Sequence, residues 1–541
     1  MFKVNRNRLS GVFFRRNDRF AKSKRGAGKE MNKFLKITGI SLLTIGLAAC
    51  SVTKESANEQ TEQSSDPTIQ VLASFYPMYD FTRNVVGNEG NVELLMPAGT
   101  DSHDYEPSAK DMAKIQEADV FVYNNENMEM WVPAIESTLK EGDVTVVKAT
   151  EGMVLLPGDE EHGHDHEHDH EEGHSHELDP HVWLAPSLAI KQVASIRDQL
   201  SRAYPEKKAA FERNAAAYLE KLQSLDDSYQ SAFKNAKQTH FVTQHAAFGY
   251  LALEYGLTQV PIAGLSPNEE PSAARIAELK HFVEDTGIKT IYFEENAKDS
   301  IAKTLATEVG VDLSVLNPLE GLTQEQMDRG EDYISIMEQN RDALMLTTSQ
   351  ANEKEVKEAE KEKTVYNGYF DDADVQDRSL TDWKGQWQSV YPYLKDGTLD
   401  QVFDYKAKQN KSMTAEEYKD YYTTGYQTDV AEITITGDTM AFTFEDGTTK
   451  KATYQYVGKK ILNYQAGNRG VRYLFESKDN DAAFKYIQFS DHSIAPTDSH
   501  HFHLYFGNES QEALLSEMDH WPTFYPTDLS GLEIAQEMLA H

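Results

Sequence analysis

The sequence predicts two α/β lobes bridged by one long helix, followed by a C-terminal, mainly antiparallel β barrel. Three observations predict this. From Ile69 to about Arg341, apolar strand-like runs alternate with amphipathic helical patterns, the order of parallel α/β layers. Two such sets flank Pro205–Lys237, where Phe211, Ala215, Leu219, Leu222 and Leu225 recur near helical spacing. Beyond residue 364 the texture changes to period-two alternation between turn residues, as in a small barrel.

Each element can be placed in order. In the first lobe, strand 69–73 leads into a helical stretch ending at Val86. Strand 92–96 precedes helix 110–117, and strand 118–123 follows. In the second lobe, strand 240–243, helix 246–255, strand 259–262, helix 272–285, strand 290–293 and helix 300–309 succeed one another. Gln350–Lys363 is dominated by Lys and Glu and reads as a charged linker, within a boundary region set at 346–363. In the last region, Val430–Phe444, Lys451–Tyr456 and Arg472–Phe475 alternate apolar with polar, with turn chemistry at Asp446-Gly447 and Ala466-Gly467-Asn468.

At 541 residues the chain exceeds what one core supports, so several domains are expected. Its formal charge of −35 is uneven. Residues 1–49 hold 12 Lys/Arg against 2 Asp/Glu, which leaves 41 basic and 86 acidic residues in the rest. So acidic a body excludes nucleic acid as a partner, because phosphate binding needs a basic face. It attracts cations instead.

The single cysteine, Cys50, indicates the route. A basic start at Met31–Lys36 is followed by the apolar run Ile37–Leu47 and by Ala48-Ala49-Cys50, an export signal too short to span a bilayer. Leu47-Ala48-Ala49-Cys50 resembles the lipobox of bacterial lipoproteins, which implies cleavage before Cys50 and lipidation of its thiol. Residues 1–30 are then expected to be an upstream extension before a true start at Met31, or a long n-region removed with the signal, with 31–49 the signal and 50–67 a polar tether. No thiol remains for zinc or disulfides, so any metal site must use His and carboxylates.

Three groups of residues carry chemistry. Glu161–His176 holds seven of the 18 histidines, His162, His164, His166, His168, His170, His174 and His176, alternating with acids. With no apolar residue to bury, 161–177 reads as a loop for capturing cations; a solvated or pH-sensitive acidic loop is the alternative. His103, His181 and His245 are dispersed but share a position, each at or near the start of a helical segment. Taken singly, each is more often a hydrogen-bonded structural histidine. In the C-terminal region, His501 and His503 lie two apart and share one strand face, with His492 in the preceding loop and His500 on the other face.

The segments Gly99–Ser108, Asp179-Pro180-His181-Val182-Trp183-Leu184 and Thr243–Phe248 resemble those of the cluster A-I solute-binding proteins of metal ABC importers. The resemblance covers about 69–341, within a domain set at 68–345. It implies a cleft metal held by His103, His181 and His245, with Glu320 as fourth ligand in Leu316–Gly321. Glu294, Glu295 or a water are competitors for that fourth place. An imidazole-rich set suits Zn(II) better than Mn(II), while copper stays open. The region 364–541, from Tyr366-Asn367-Gly368-Tyr369-Phe370 through Asp382–Pro392 to His520-Trp521-Pro522, resembles ZinT, a periplasmic zinc protein with a calycin-like barrel; this implies His492, His501 and His503 as ligands. The combination implies a zinc-binding lipoprotein anchored to the outer face of the cell membrane, serving a permease and its ATPase. Two tight Zn(II) sites are expected, with weaker ions at the His-rich loop, and a monomer. H-E-x-x-H occurs only inside the His-rich stretch, at 166–170 and 170–174, where 161–177 reads as a loop, and no G-x-S-x-G occurs, so an enzyme is not expected; a zinc hydrolase, or a surface adhesin with structural metal, is the rival reading.

Overall fold

The computed structural model describes residues 68–100, 102–158, 178–268, 271–294, 300–351, 363–464 and 467–540. The upstream extension, the signal, Cys50, the tether, Glu295 and the His-rich segment lie outside them. Among the described residues no helix is long and apolar enough to cross a membrane.

The first lobe is a four-stranded parallel sheet of β1 (Ile69–Ala73), β2 (Gly90–Leu94), β3 (Val120–Tyr123) and β4 (Thr145–Lys148), in the order β2-β1-β3-β4. The second repeats that order with β5 (His240–Thr243), β6 (Thr258–Pro261), β7 (Thr290–Phe293) and β8 (Asp312–Val315), as β6-β5-β7-β8. Strand order reverses beside the first strand of each sheet, so loops from the carboxyl ends splay apart there and leave a crevice. The helix Lys208–Phe233 bridges the lobes. Its buried stripe of Phe211, Ala215, Tyr218, Leu222, Leu225 and Tyr229 joins residues of both lobes in one core. That stripe follows from apolar residues recurring every three to four positions.

The C-terminal region is a closed barrel of β9 (Gly385–Ser389), β10 (Val430–Thr436), β11 (Thr439–Phe444), β12 (Thr449–Asn463), β13 (Arg469–Ser477), β14 (Tyr486–Ser490), β15 (Phe502–Gly507) and β16 (Thr523–Pro526), with β16 pairing β9. Closure leaves no unpaired strand edge. Its interior is aromatic, with Trp383, Trp387, Phe475, Phe489 and Phe502 buried together.

In the C-terminal region the structure departs from the sequence reading as follows. The run 430–444 is a hairpin, because Gly437 takes φ +60° and reverses the chain. The strand expected at 451–456 runs to Asn463, passing a bulge at Val457 where Gly458 takes φ +136°. The helices Tyr391–Lys395, Asp400–Gln409 and Ala415–Tyr426 were not foreseen. Their buried faces are tyrosine-rich, and tyrosine reads as strand when met in a barrel-like sequence.

Leu222→Ala in the bridging helix should cost about 2–5 kcal/mol. Denaturant titration should show a lower midpoint at an unchanged slope; an unchanged midpoint would mean the helix is not held by this stripe.

Candidate metal centres

Four side chains converge in the crevice between the lobes. His103 lies in the loop after β2, His181 begins a short helical turn at Val182–Leu184, His245 lies two residues after β5 and Glu320 follows β8. Glu320 Oε1 stands 3.4 Å from His103 Nε2, 3.5 Å from His181 Nε2 and 3.3 Å from His245 Nε2. The His103 and His181 Nε2 atoms are 3.1 Å apart. Four ligands at about 2.0–2.1 Å from a tetrahedral zinc would stand about 3.3 Å from one another. These four separations match the edges of a zinc tetrahedron, and all four ligand atoms lie within 4.8 Å of one another.

Each turn that delivers these groups is locally determined. The expected helix 246–255 begins only at Gly249, because Ala246 donates its N–H to Gly264 O (2.8 Å) and Gln259 Nε2 donates to His245 O (2.8 Å). The released loop aims His245 inward. Before Glu320, Leu319 takes φ +56°, a left-handed conformation that costs a β-carbon residue about 1–2 kcal/mol. It is held by its N–H donating to Asn317 Oδ1 (2.7 Å), while Asn340 Nδ2 donates to Asn317 O (2.7 Å). Trp183 Nε1 donates to Pro318 O (2.8 Å) and ties the His181 turn to the Glu320 loop.

The imidazoles are oriented from behind. His181 Nδ1 bonds Asp179 Oδ1 (2.8 Å), and its backbone N–H donates to the same oxygen (2.9 Å). His245 Nδ1 bonds Glu294 Oε1 (2.5 Å). A carboxylate on Nδ1 fixes the proton there and leaves the Nε2 lone pair for a cation. Glu294, a competitor for the fourth place, is thus engaged at the back of His245, while Glu320 faces the centre. His245 Nε2 and Glu320 Oε1 are both buried without a satisfied hydrogen bond, which is costly unless something else fills the centre.

Electrostatics follow from the same packing. Burial opposes charge on His245, yet Glu294 and Glu320 outweigh it and raise its pKa to about 10. For His181, burial is likewise outweighed by Asp179 and Glu320, and the pKa is raised. Burial opposes the Glu320 carboxylate, but the three imidazoles, His103 foremost, hold its pKa well below the usual range. These carboxylates therefore favour protons on the imidazoles they face, and a divalent cation would replace those protons.

The second group, His492, His501 and His503, lies at one end of the barrel, with ligand atoms within 4.8 Å of one another. His503 Nδ1 donates to Thr523 Oγ1 (2.7 Å), whose own hydrogen goes to Trp521 O (3.0 Å). His492 Nδ1 donates to Tyr366 O (3.2 Å), and the two rings stack at 4.1 Å. His501 stacks on Tyr525 at 5.1 Å. The loop bearing His492 is pinned at both ends. Buried Arg378 pairs with Asp491 at 2.6 and 2.9 Å and donates to Thr497 O (2.9 Å). Among the described residues no carboxylate joins this group, and burial, with His492 and Arg472 adding to it, pushes the His503 pKa down to about 3. His500 is exposed and outside the group.

Asp179, Glu294, Asn317, Tyr366 and Thr523 escaped the sequence reading as supporting residues. Only Asp179, two residues before His181, carried a local signal.

Comparison with known proteins agrees with this division. Residues 71–345 match the family model of ZnuA, zinc-uptake complex component A, periplasmic, and residues 361–541 match ZinT, periplasmic lipocalin-like zinc-recruitment. The zinc-binding lipoprotein AdcA of Streptococcus pneumoniae (strain R6) is 59% identical over 503 residues, 93% of this chain and 98% of that protein. The high-affinity zinc uptake system protein ZnuA of Bacillus subtilis is 48% identical over 311 residues, 58% of this chain and 97% of that one. The crystal structure of Zn(II)-bound AdcA from Streptococcus pneumoniae superposes with a TM-score of 0.80, covering 88% of this chain and all of that one.

Removing the carboxylate behind His181 tests this account. Asp179→Ala should weaken cation binding at the interlobe centre by about 10–100-fold, read by competition with a chromophoric chelator. Unchanged affinity would mean that His181 needs no such support.

Proposed function

The chain belongs to the zinc-uptake component A family and carries a ZinT-type barrel behind it, and from that premise we propose that it captures Zn(II) outside the cell and hands it to an ABC permease. The observation that carries the reading is the interlobe cluster, three Nε2 atoms around one carboxylate oxygen at 3.3–3.5 Å. His103, His181, His245 and Glu320 then hold one ion in a closed tetrahedron. His492, His501 and His503 hold a second, with a fourth position left for water or an incoming ligand.

The chemistry of the two sites differs in a way that suits capture and delivery. The barrel trio presents at least one imidazole that is neutral near neutral pH, its proton on Nδ1 toward Thr523, so an ion can meet the Nε2 lone pair of His503 without displacing a proton. The interlobe site balances the ion against a carboxylate and buries it, which suits holding until a permease opens the lobes. The His-rich segment, His162 to His176, serves as an auxiliary collector. Cys50, lipidated, keeps the protein at the outer face of the membrane, where the permease and its ATPase take the ion. A hydrolase is the less favoured reading, since Glu320 fills the coordination position that a catalytic zinc leaves open to water.

Elemental analysis of the mature protein with 161–177 deleted should find two zinc ions. The triple variant His103→Ala/His181→Ala/His245→Ala should lose one, and His492→Ala/His501→Ala/His503→Ala the other. An ion that survives both variants would refute this placement.

The two sites should also answer pH differently. Below about pH 10, zinc entering the interlobe site displaces a proton from His245. Its apparent affinity should therefore fall as pH drops from 8 to 6, by about tenfold per unit for each proton displaced. His503 contributes no such slope in that range. Titration of each triple variant at several pH values measures both, and a steeper slope at the barrel would contradict the assignment.

A further inference from the structure

The interlobe site and the barrel domain share one short segment of chain. Residues 152–157 follow β4 and run between the two domains, clamped by two glutamines of the C-terminal domain. Gln401, on the helix Asp400–Gln409, accepts from Val154 N–H (3.2 Å) and donates to Gly152 O (2.9 Å). Gln536, on the helix Gly531–Ala540, accepts from Leu155 N–H (2.8 Å) and donates to Leu155 O (2.7 Å). Each carboxamide thus replaces a strand partner that this segment lacks on that side. Side chains alternate as well. Val154 packs against the helical cluster of the barrel domain, while Leu155 is buried with Val182 and Tyr250 of the first domain.

From there the connection to the metal centre is short. Leu156 N–H donates to Tyr250 Oη (2.9 Å), and that hydroxyl donates to Asp179 O (2.7 Å). Asp179 N–H in turn donates to Leu156 O (2.9 Å). Asp179 Oδ1 holds both His181 Nδ1 and its backbone N–H, and Val182 directly follows. A second contact braces the same face. Lys408 Nζ meets Glu254 Oε1 (2.7 Å), and Glu254 Oε2 accepts from Ser187 Oγ (2.9 Å) on the helix Pro186–Ala203.

We infer that the C-terminal domain brakes the release of zinc from the interlobe site by gripping the segment 152–156 through Gln401 and Gln536. This rests on the reading of that site as a zinc site. With the grip in place, the backbone of Asp179 and the side chain of Leu155 hold the His181 turn from two sides. Without it, four backbone groups of the segment turn to water, and the turn loses one wall of its support. Gln401 and Gln536 are positioning residues: they touch no ligand and act through Asp179 and Val182. The barrel domain therefore collects zinc at its own mouth and also sets how long the other site keeps its ion. A movement that undocks the barrel, such as engagement of a permease, would then promote unloading.

The test uses the full chain in the His492→Ala/His501→Ala/His503→Ala background with 161–177 deleted, loaded with zinc alone. Transfer to an excess of fluorescent chelator is followed by stopped flow. Adding Gln401→Ala/Gln536→Ala should speed release by about three- to thirtyfold, the range of long-range coupling through packed networks. Gln536→Glu, which keeps the acceptor and loses the donor, should fall between and covers the case in which the double variant folds poorly. In the complementary His103→Ala/His181→Ala/His245→Ala background, release from the barrel should be unchanged. Equal release with and without the glutamines overturns the inference, and so does an equal acceleration of both sites, which would mean general loosening. A parent that binds no zinc at the interlobe site would instead overturn the functional reading beneath it.

Discussion

The structure depends on one buried carboxylate. Glu320 sits among three imidazoles in a place where an isolated anion would be costly, and its charge is tolerable only because positive charge surrounds it. That charge comes from protons on the imidazoles, or would come from a cation that replaces them. The surrounding architecture serves this exchange. Two parallel sheets present their carboxyl ends to one crevice, and the bridging helix fixes their separation. Asn317, Asn340 and Trp183 hold the loop that delivers the carboxylate in a conformation it would not choose alone.

The barrel solves a different problem with the same ligand type. It gathers three imidazoles without a carboxylate, and burial favours the neutral form of His503. Its supports are a hydroxyl at Thr523, a carbonyl at Tyr366 and a guanidinium at Arg378 that pins the intervening loop. A neutral site with an open position accepts and gives up an ion more readily than a closed one containing an anion. The two candidate sites differ in ligand charge, and under the proposed function that difference would favour passage of the ion from barrel to crevice.

The docked pose adds a link between them. Segment 152–157 belongs to the first domain by sequence, yet its backbone is completed by the second. Short polar side chains at an interface usually supply specificity more than strength. Here the two glutamines read backbone geometry, so they recognise the shape of the segment and tolerate its side chains.

Much of this was legible in the chain itself. Alternating patterns marked the two α/β lobes, period-two runs marked the barrel, and the histidines were visible as candidates from their positions near helix starts and from the two-residue spacing of His501 and His503. Those features are local, written in the spacing of residues a few positions apart. The supporting groups were not legible, because Glu294 and His245, Thr523 and His503, or Gln536 and Leu155 lie 20 to 381 residues apart and meet only when the sheets and barrel close. The tyrosine-rich helices 391–426 were missed for a related reason, since their apolar faces are defined by what they pack against. Sequence alone determined which side chains could bind a metal, since imidazole and carboxylate chemistry does not depend on fold. Tertiary structure decided which of them stand about 3.3 Å apart, because that distance is set by packing between segments that share no local geometry.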